Sequence, residues 1–262
     1  MCLIAWNWQP ASATPLVLLS NRDEFYDRPA LALHWWPKAP GGACVLAGKD
    51  QQAGGTWLGL SRSGRLAALT NYRSGDPARA NAPSRGELVA GFVQGDMTAA
   101  HYLQSLALHT QDYNPFNLLV FDGEHLLGLE SRGSRMITLP EGIGALSNAD
   151  FQTPWPKLMR LKERLQGPTP HDEVDTARLL KLMQDTTLAA DADLPRTGVP
   201  LELERALSAI FIATPGYGTR ACSVVHLHRD RASFTEQRFG VTGLMGTEKQ
   251  IFAIERPKKK RQ

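Results

Sequence analysis

Two apolar runs, residues 2–8 and 16–22, stand on either side of Pro10-Ala11-Ser12-Ala13-Thr14-Pro15 at the start of the chain. Two such runs separated by a loop of several residues predict a β-hairpin. If the pairing is symmetric about that loop and free of bulges, Cys2 lies across from Asp23, with Cβ atoms about 5 Å apart. Further along, residues 43–46 read as a short strand, and residues 56–60 and 65–70 flank Ser61-Arg62-Ser63-Gly64 as a second hairpin. Residues 73–83 are rich in turn formers and read as a loop. Ser84-Arg85-Gly86-Glu87 has the spacing of a capping box and opens a helix to about Val93, followed by a second helix over residues 97–107.

Residues 116–121 and 125–130 bracket Asp122-Gly123, a hairpin signal, and residues 136–139 and 144–147 continue the strand series. From Pro156 the apolar period becomes helical: Leu158, Leu161 and Leu165 share one face, as do Leu179, Leu180 and Met183. A third amphipathic segment, residues 202–208, precedes the apolar residues 210–213, and residues 223–228 and 234–239 are the last predicted strands. Strand-rich halves around a helical middle imply an α+β chain of antiparallel sheets covered by helices. Residues 1–255 read as a single domain and residues 256–262 as a basic disordered tail.

Composition narrows the function classes. The chain has 262 residues, 42% hydrophobic and 21% charged, an ordinary globular balance. Its net charge is +3, but Arg256, Lys258, Lys259, Lys260 and Arg261 all lie in the tail; subtracting those five charges leaves the body at −2. Aromatic residues do not interleave with basic ones on a recurring face, so no nucleic-acid surface is expected. The N-terminal run lacks a basic lead and stops at Gln9-Pro10, and no stretch approaches the roughly 18 apolar residues of a membrane span. Cys2, Cys44 and Cys222 are odd in number and widely spaced, which argues against a disulfide framework. These features predict a reduced, cytoplasmic protein.

The chemistry concentrates at the first hairpin. A small residue after Met1 makes that methionine removable, leaving a free α-amino group on Cys2. A terminal amine has a pKa of about 8 and accepts a proton from its own thiol near neutral pH. The plain alternatives stand beside this reading: Cys2 as a small buried hydrophobe, Arg22 and Asp23 as a pair closing the strand, and Asn71 and Asn148 as turn residues. His226, His228 and Asp230 alternate along one strand without a further zinc ligand at typical spacing. His34, beside Trp35 and Trp36, is a weak axial candidate for haem iron, and no dedicated metal site is predicted. Gly41-Gly42 and Gly54-Gly55 fit no phosphate loop.

Asn21-Arg22-Asp23-Glu24, the early cysteine, Gly54-Gly55-Thr56-Trp57-Leu58-Gly59 and Leu69-Thr70-Asn71-Tyr72-Arg73 together resemble the NRDE family, from Cys2 to about Ala253. That resemblance implies handling of haem, with acyl-CoA as a second ligand class; no cofactor is required beyond such a bound ligand. A groove with exposed Trp35, Trp36, Trp57 and Trp155, rimmed by Arg22, Arg73 and Arg220 and including Tyr72, would suit either ligand. The chain also resembles the N-terminal nucleophile (Ntn) hydrolases, in particular the bile-salt hydrolase and penicillin V acylase branch. This second resemblance implies a four-layer αββα sandwich with Cys2, Asp23, Asn71, Asn148 and Arg220 converging at one end. In that branch's chemistry Cys2 attacks a carbonyl and Asn71 and Asn148 donate to the oxyanion. Asp23 holds the α-ammonium, and Arg220 supports the carboxylate or thiolate. The branch places an Arg three residues before its Asp, where this chain has Ser20. Ligand handling and amide hydrolysis are thus the two functions to separate.

Overall fold

In the computed structural model, which describes residues 2–37, 42–151, 153–166 and 173–255, the chain begins as strand β1 (Cys2–Trp8), buried at every position. Alternation sends Cys2, Ile4, Trp6 and Trp8 into one apolar cluster and Leu3 and Ala5 into another. A strand covered on both faces reads as a continuous apolar run, which is why this segment stands out in the sequence. Met1 and the basic tail lie outside the described residues.

β2 (Leu16–Phe25) pairs antiparallel with β1, and the register sets Cys2 opposite Arg22, not Asp23. The loop begins one residue earlier than Pro10: the Gln9 N–H donates to the Pro15 carbonyl at 2.7 Å and Trp8 pairs with Leu16. A one-residue shift moves every partner to the other face, so Asp23 leaves the Cys2 face altogether.

Two 7-stranded sheets follow. The remaining strands are β3 (Ala30–Trp35), β4 (Val45–Asp50), β5 (Leu58–Ser61), β6 (Leu66–Asn71), β7 (Phe116–Phe121), β8 (Leu126–Glu130), β9 (Arg135–Thr138), β10 (Gly142–Leu146), β11 (Ala213–Thr214), β12 (Tyr217–Leu227), β13 (Arg231–Gly240) and β14 (Gly243–Ala253). The first sheet runs β10-β1-β2-β12-β13-β14 with β11 on β12, and the second runs β3-β4-β5-β6-β7-β8-β9. Every pairing is antiparallel.

The sheets meet through the cluster holding Cys2, Trp6, Trp8, Trp57, Leu119 and Phe234. Helices α1 (Gly86–Gln94) and α2 (Ala99–Ala107) cover the outer face of the second sheet with Leu88, Val89, Phe92 and Leu103. α3 (Pro156–Leu165) and α4 (Glu173–Leu182) cover the first sheet with Leu158, Leu161, Leu165, Leu179 and Leu180. α5 (Leu201–Leu207) sits beside α3, where Lys157 Nζ donates to the Leu207 carbonyl at 3.0 Å. The layers therefore stack α, β, β, α. Among the described residues no helix is long and apolar enough to cross a membrane.

Local differences from the sequence reading have physical reasons. The capping box does not form. Arg85 occupies the N-cap without a side-chain bond, and Glu87 instead accepts from the Tyr113 hydroxyl at 2.6 Å. The Asp122-Gly123 turn is longer than two residues, because Asp122 Oδ1 accepts from the N–H groups of both Glu124 and His125. The apolar residues Ile210 and Ile212 are buried just before the two-residue β11. β3 and β14 have no counterpart in the sequence reading.

Candidate functional site

Cys2 is level with two chain ends that carry polar side chains. On one side is Arg22; on the other, β10 ends at Leu146 opposite Ile4 and runs on into Ser147 and Asn148. The Ser147 hydroxyl donates to the Cys2 carbonyl at 3.3 Å and to Asn148 Oδ1 at 3.1 Å. Asn148 Nδ2 donates to the Asn71 carbonyl at 2.8 Å, and the Asn148 carbonyl accepts from the Arg73 N–H at 2.7 Å. Cys2, Asn71 and Asn148 are thus drawn together from three separate segments. One N–H of the Asn148 amide is used in this linkage, donating to a backbone carbonyl; the amide carries a second N–H. The Cys2 thiol is 6% exposed, and burial pushes its pKa up, the opposite of an activated thiolate.

Asp23 points into the helical layer. It is 1% exposed, and Oδ1 accepts from the Thr219 hydroxyl at 2.7 Å. Burial raises its carboxyl, opposed mainly by Lys157 and also by the Thr219 bond and Arg73. Lys157, from the first turn of α3, is 2% exposed; burial and the Arg73 charge push its ammonium down to about 8, against the pull of Asp23, Cys2 and Glu204. Arg73 closes the group. Nη1 donates to Glu204 Oε2 at 2.8 Å, the guanidinium lies 4.6 Å from the Trp155 ring centroid, and buried Nε and Nη2 have no hydrogen-bond partner among the described residues. This is a buried cluster of alternating charge immediately behind Cys2. Lys157 and Glu204 were not anticipated. The one cue for Lys157 was a basic residue at the edge of an apolar helical stripe, where its long stem lies along the core.

Arg22 faces the seam between the sheets. It donates to Asp50 Oδ2 at 2.7 Å and stacks 4.4 Å from the Trp57 centroid, while Arg28 Nε reaches the same carboxylate oxygen at 2.7 Å. Arg22 and Asp23 therefore do not pair with each other. Arg220 occupies a bulge in β12 between Thr219 and Ala221, and its donors go to the carbonyls of Phe25, Arg28 and Phe239 at 2.7, 3.1 and 3.1 Å. It does not join the linkage of Cys2, Asn71 and Asn148.

The model of the Transport and Golgi organisation 2 family matches residues 1–240. The chain belongs to that family. A bovine Transport and Golgi organization protein 2 homolog is 36% identical over 261 residues, covering 90% of this chain and 92% of its own. The human homolog is 33% identical over 259 residues with the same coverage, and the Drosophila melanogaster protein is 28% identical over 257 residues, covering 86% and 87%. Among solved structures, a mutant conjugated bile acid hydrolase from Clostridium perfringens aligns over 98% of this chain and 97% of its own, at TM-score 0.47 and 10% identity. That likeness is too distant to transfer a site residue.

In this member of the Transport and Golgi organisation 2 family the tryptophans expected to line an open groove are buried or half-buried. Trp36, Trp57 and Trp155 are 9%, 7% and 7% exposed, and Trp35 is half-buried against Phe252. Large aromatic faces are buried here under guanidinium groups, Trp57 beneath Arg22 and Trp155 beneath Arg73. Arg22 and Arg73, expected at an open rim, are 5% and 6% exposed and held by carboxylates. Tyr72 is half-buried, its ring 4.6 Å from the Arg132 guanidinium. His34 lies on edge strand β3 with Nδ1 2.7 Å from the Ala32 carbonyl, in a different sheet from Cys2. His226 and His228 stack at 6.3 Å, and among the described residues no group of three or more His, Cys, Asp or Glu is placed to hold a metal.

Proposed function

We propose that this protein handles a small molecule combining an apolar body with an acidic group, of the haem or acyl-CoA class, with the acidic group bound at the Cys2 end. The observation that carries this reading is Arg73: two buried guanidinium donors without a hydrogen-bond partner, next to the buried Lys157 ammonium. A carboxylate or phosphate oxygen is the acceptor such donors take, and Arg offers it a two-pronged geometry. Asn71 and Tyr72, next to Arg73 in the chain, are half-exposed, and the apolar body would lie against them. The upshifted thiol supports binding over chemistry. The test is a titration of hemin and of a long-chain acyl-CoA into wild type and Arg73→Lys, followed by haem absorbance and tryptophan fluorescence. Arg73→Lys, which keeps the charge and loses the fork, should weaken binding roughly tenfold. No saturable binding of either ligand, or binding indifferent to Arg73→Lys, sinks the reading.

The amidohydrolase reading has one observation in its favour, the hydrogen-bonded linkage of Cys2, Ser147, Asn148 and Asn71. It requires a free Cys2 amine, so intact-mass analysis of protein from native cells must show loss of one methionine. Cys2→Ala separates the two readings. It should leave ligand affinity nearly intact, whereas Cys2-dependent cleavage of an N-acyl amide at roughly 1 per second or faster would reverse the ranking.

A further inference from the structure

Behind the Arg22–Trp57 stack lies a second feature, a cleft of about 60 Å³ lined by Arg22, Trp57, Arg220, Glu236, Arg238 and Met245 among others. The register places its floor. Arg22 is opposite Ala221, and Ala221 is opposite Arg238, so the arginines share a row that crosses the sheet. The neighbouring row holds Ser20, Ser223 and Glu236 in successive cross-strand pairs.

Polar groups in these rows are left over. Glu236 is 1% exposed; Oε1 accepts from the Leu33 N–H at 2.8 Å, and buried Oε2 has no hydrogen-bond partner. Arg238 Nε and the hydroxyls of Ser20 and Ser223 are likewise buried and unpartnered. Glu236 and Arg238 line the cleft, and Ser20 and Ser223 share the row of Glu236; an orphaned buried polar atom is costly, so the Glu236 and Arg238 atoms mark a place built for a polar occupant.

The sign of that occupant follows from the donors. Arg22 is neutralised by Asp50, whereas Arg220 is hydrogen-bonded to carbonyls with Glu24 and Asp27 acting on it from farther away, and Arg238 faces Glu248 at 3.9 Å. Burial pushes the Glu236 carboxyl up to about 7, against Leu33 N–H, Arg238 and Arg22, with Glu248 adding to the rise. Near neutral pH Oε2 therefore holds a proton for much of the time and donates. The cleft presents N–H and O–H donors and a surplus of positive charge.

We propose that the cleft at Glu236 and Arg238 binds the head of a small oxyanion, a carboxylate or phosphate, through Arg238 Nε and Glu236 Oε2 with Arg220 alongside. The cleft is small, about 60 Å³, with room for only a few water molecules, so it takes a head group and not a whole amphiphile. This site is separate from the Arg73–Lys157 cluster and does not depend on the function assigned there.

The experiment follows the arginine Nε–H signals of the full chain by ¹H–¹⁵N NMR at constant ionic strength. Sodium formate, sodium acetate and inorganic phosphate are the titrants. The Arg238 Nε signal, assigned by its loss in Arg238→Met, should shift saturably. Saturation by formate and acetate identifies a carboxylate site, and saturation by phosphate a phosphate site. Arg238→Met, which preserves the Glu236–Leu33 bond, should weaken binding at least roughly tenfold as read at the other cleft arginines. Glu236→Gln, which keeps an N–H donor, should bind within about threefold of wild type. Wild-type shifts linear in all three titrants would overturn the proposal whatever the variants do, as would saturable binding unchanged by Arg238→Met.

Discussion

Arg22 and Asp23 are adjacent in sequence, yet strand alternation divides them between two networks that balance charge in different ways. On the seam side Asp50 is shared by Arg22 and Arg28, each at 2.7 Å, so the carboxylate keeps a partner if either is lost. On the helical side the charges form a chain. Asp23 depends on Lys157 and Thr219, Arg73 depends on Glu204, and Arg73 and Glu204 are each 4% exposed at the side chain. The first network is redundant and open to water mainly at Arg28; the second is dry and has no spare partner for its cation. Asn21 follows Asp23, its amide donating to the Met183 and Ile210 carbonyls at 2.8 and 2.9 Å, so the motif bolts the helical layer to the strand on one face and the two sheets together on the other.

The sharpest way to break this comparison is Arg73→Met. Removing one member of a buried pair leaves an uncompensated charge and costs about 3–5 kcal/mol. For a domain of this size that lowers Tm by roughly 10 °C. Thr197 also donates to Glu204, through both its N–H and its hydroxyl, so the carboxylate stays hydrogen-bonded but loses its cation. A loss under about 1 kcal/mol in urea unfolding would mean that the helical network is no less forgiving than the seam.

The seam side carries its own strain in Glu236, whose carboxyl is raised to about 7 from an ordinary 4.5. A folded-state pKa above the unfolded one contributes stability that is full below about pH 4.5 and is lost as pH rises through about 7. The amount is about 3 kcal/mol across that window. Asp50 runs the other way: although burial raises its carboxyl, the Arg28 and Ala53 hydrogen bonds and the Arg22 charge outweigh that and lower its pKa, so its contribution fades on acidification. Urea unfolding of wild type and Glu236→Gln at pH 5 and pH 8 isolates the first effect. The variant should gain on wild type at the higher pH; a difference that does not change with pH removes Glu236 from the account.

How much of this was legible in the sequence depends on what each segment faces. The β1–β2 hairpin could be read because both strands are buried on both faces. The identity of the residue opposite Cys2 could not, since it turned on whether Gln9 belongs to the strand or the loop. β14 escaped because it is an edge strand whose positions alternate between exposed and half-buried, with Glu248 and Lys249 in its middle. Asn71 and Asn148 were named from resemblance and do meet beside Cys2, through a bond from the Asn148 amide to the Asn71 backbone carbonyl. Lys157 and Glu204 look like ordinary surface charges on short helices; only tertiary packing reveals that they are buried and face each other's partners.

Arg22→Met tests redundancy directly. Asp50 retains Arg28 and the N–H groups of Gln52 and Ala53, so the loss should be about 1–2 kcal/mol, mostly the charged hydrogen bond and the stack on Trp57. A cost matching Arg73→Met would show that Arg28 does not substitute, and the contrast between the two faces of β2 would collapse.

The smallest effect expected is that of Arg28→Ala. Its side chain is 28% exposed, and a partly solvated ion pair contributes under about 1 kcal/mol because water and salt screen it. Taken alone it should be hard to detect. In the Arg22→Met background, however, Arg28 is the last cation on Asp50, a carboxylate 12% exposed at the side chain. The same substitution should then cost more, with a coupling of about 1 kcal/mol or above in the double-mutant cycle, since both residues share one partner. Additive losses would mean that each arginine is stabilised by something other than Asp50. For Arg22 that leaves Trp57, and for Arg28 the 3.9 Å contact with Glu24. Added salt separates these cases: the Arg28 contribution should shrink with ionic strength, whereas that of buried Arg22 should hold.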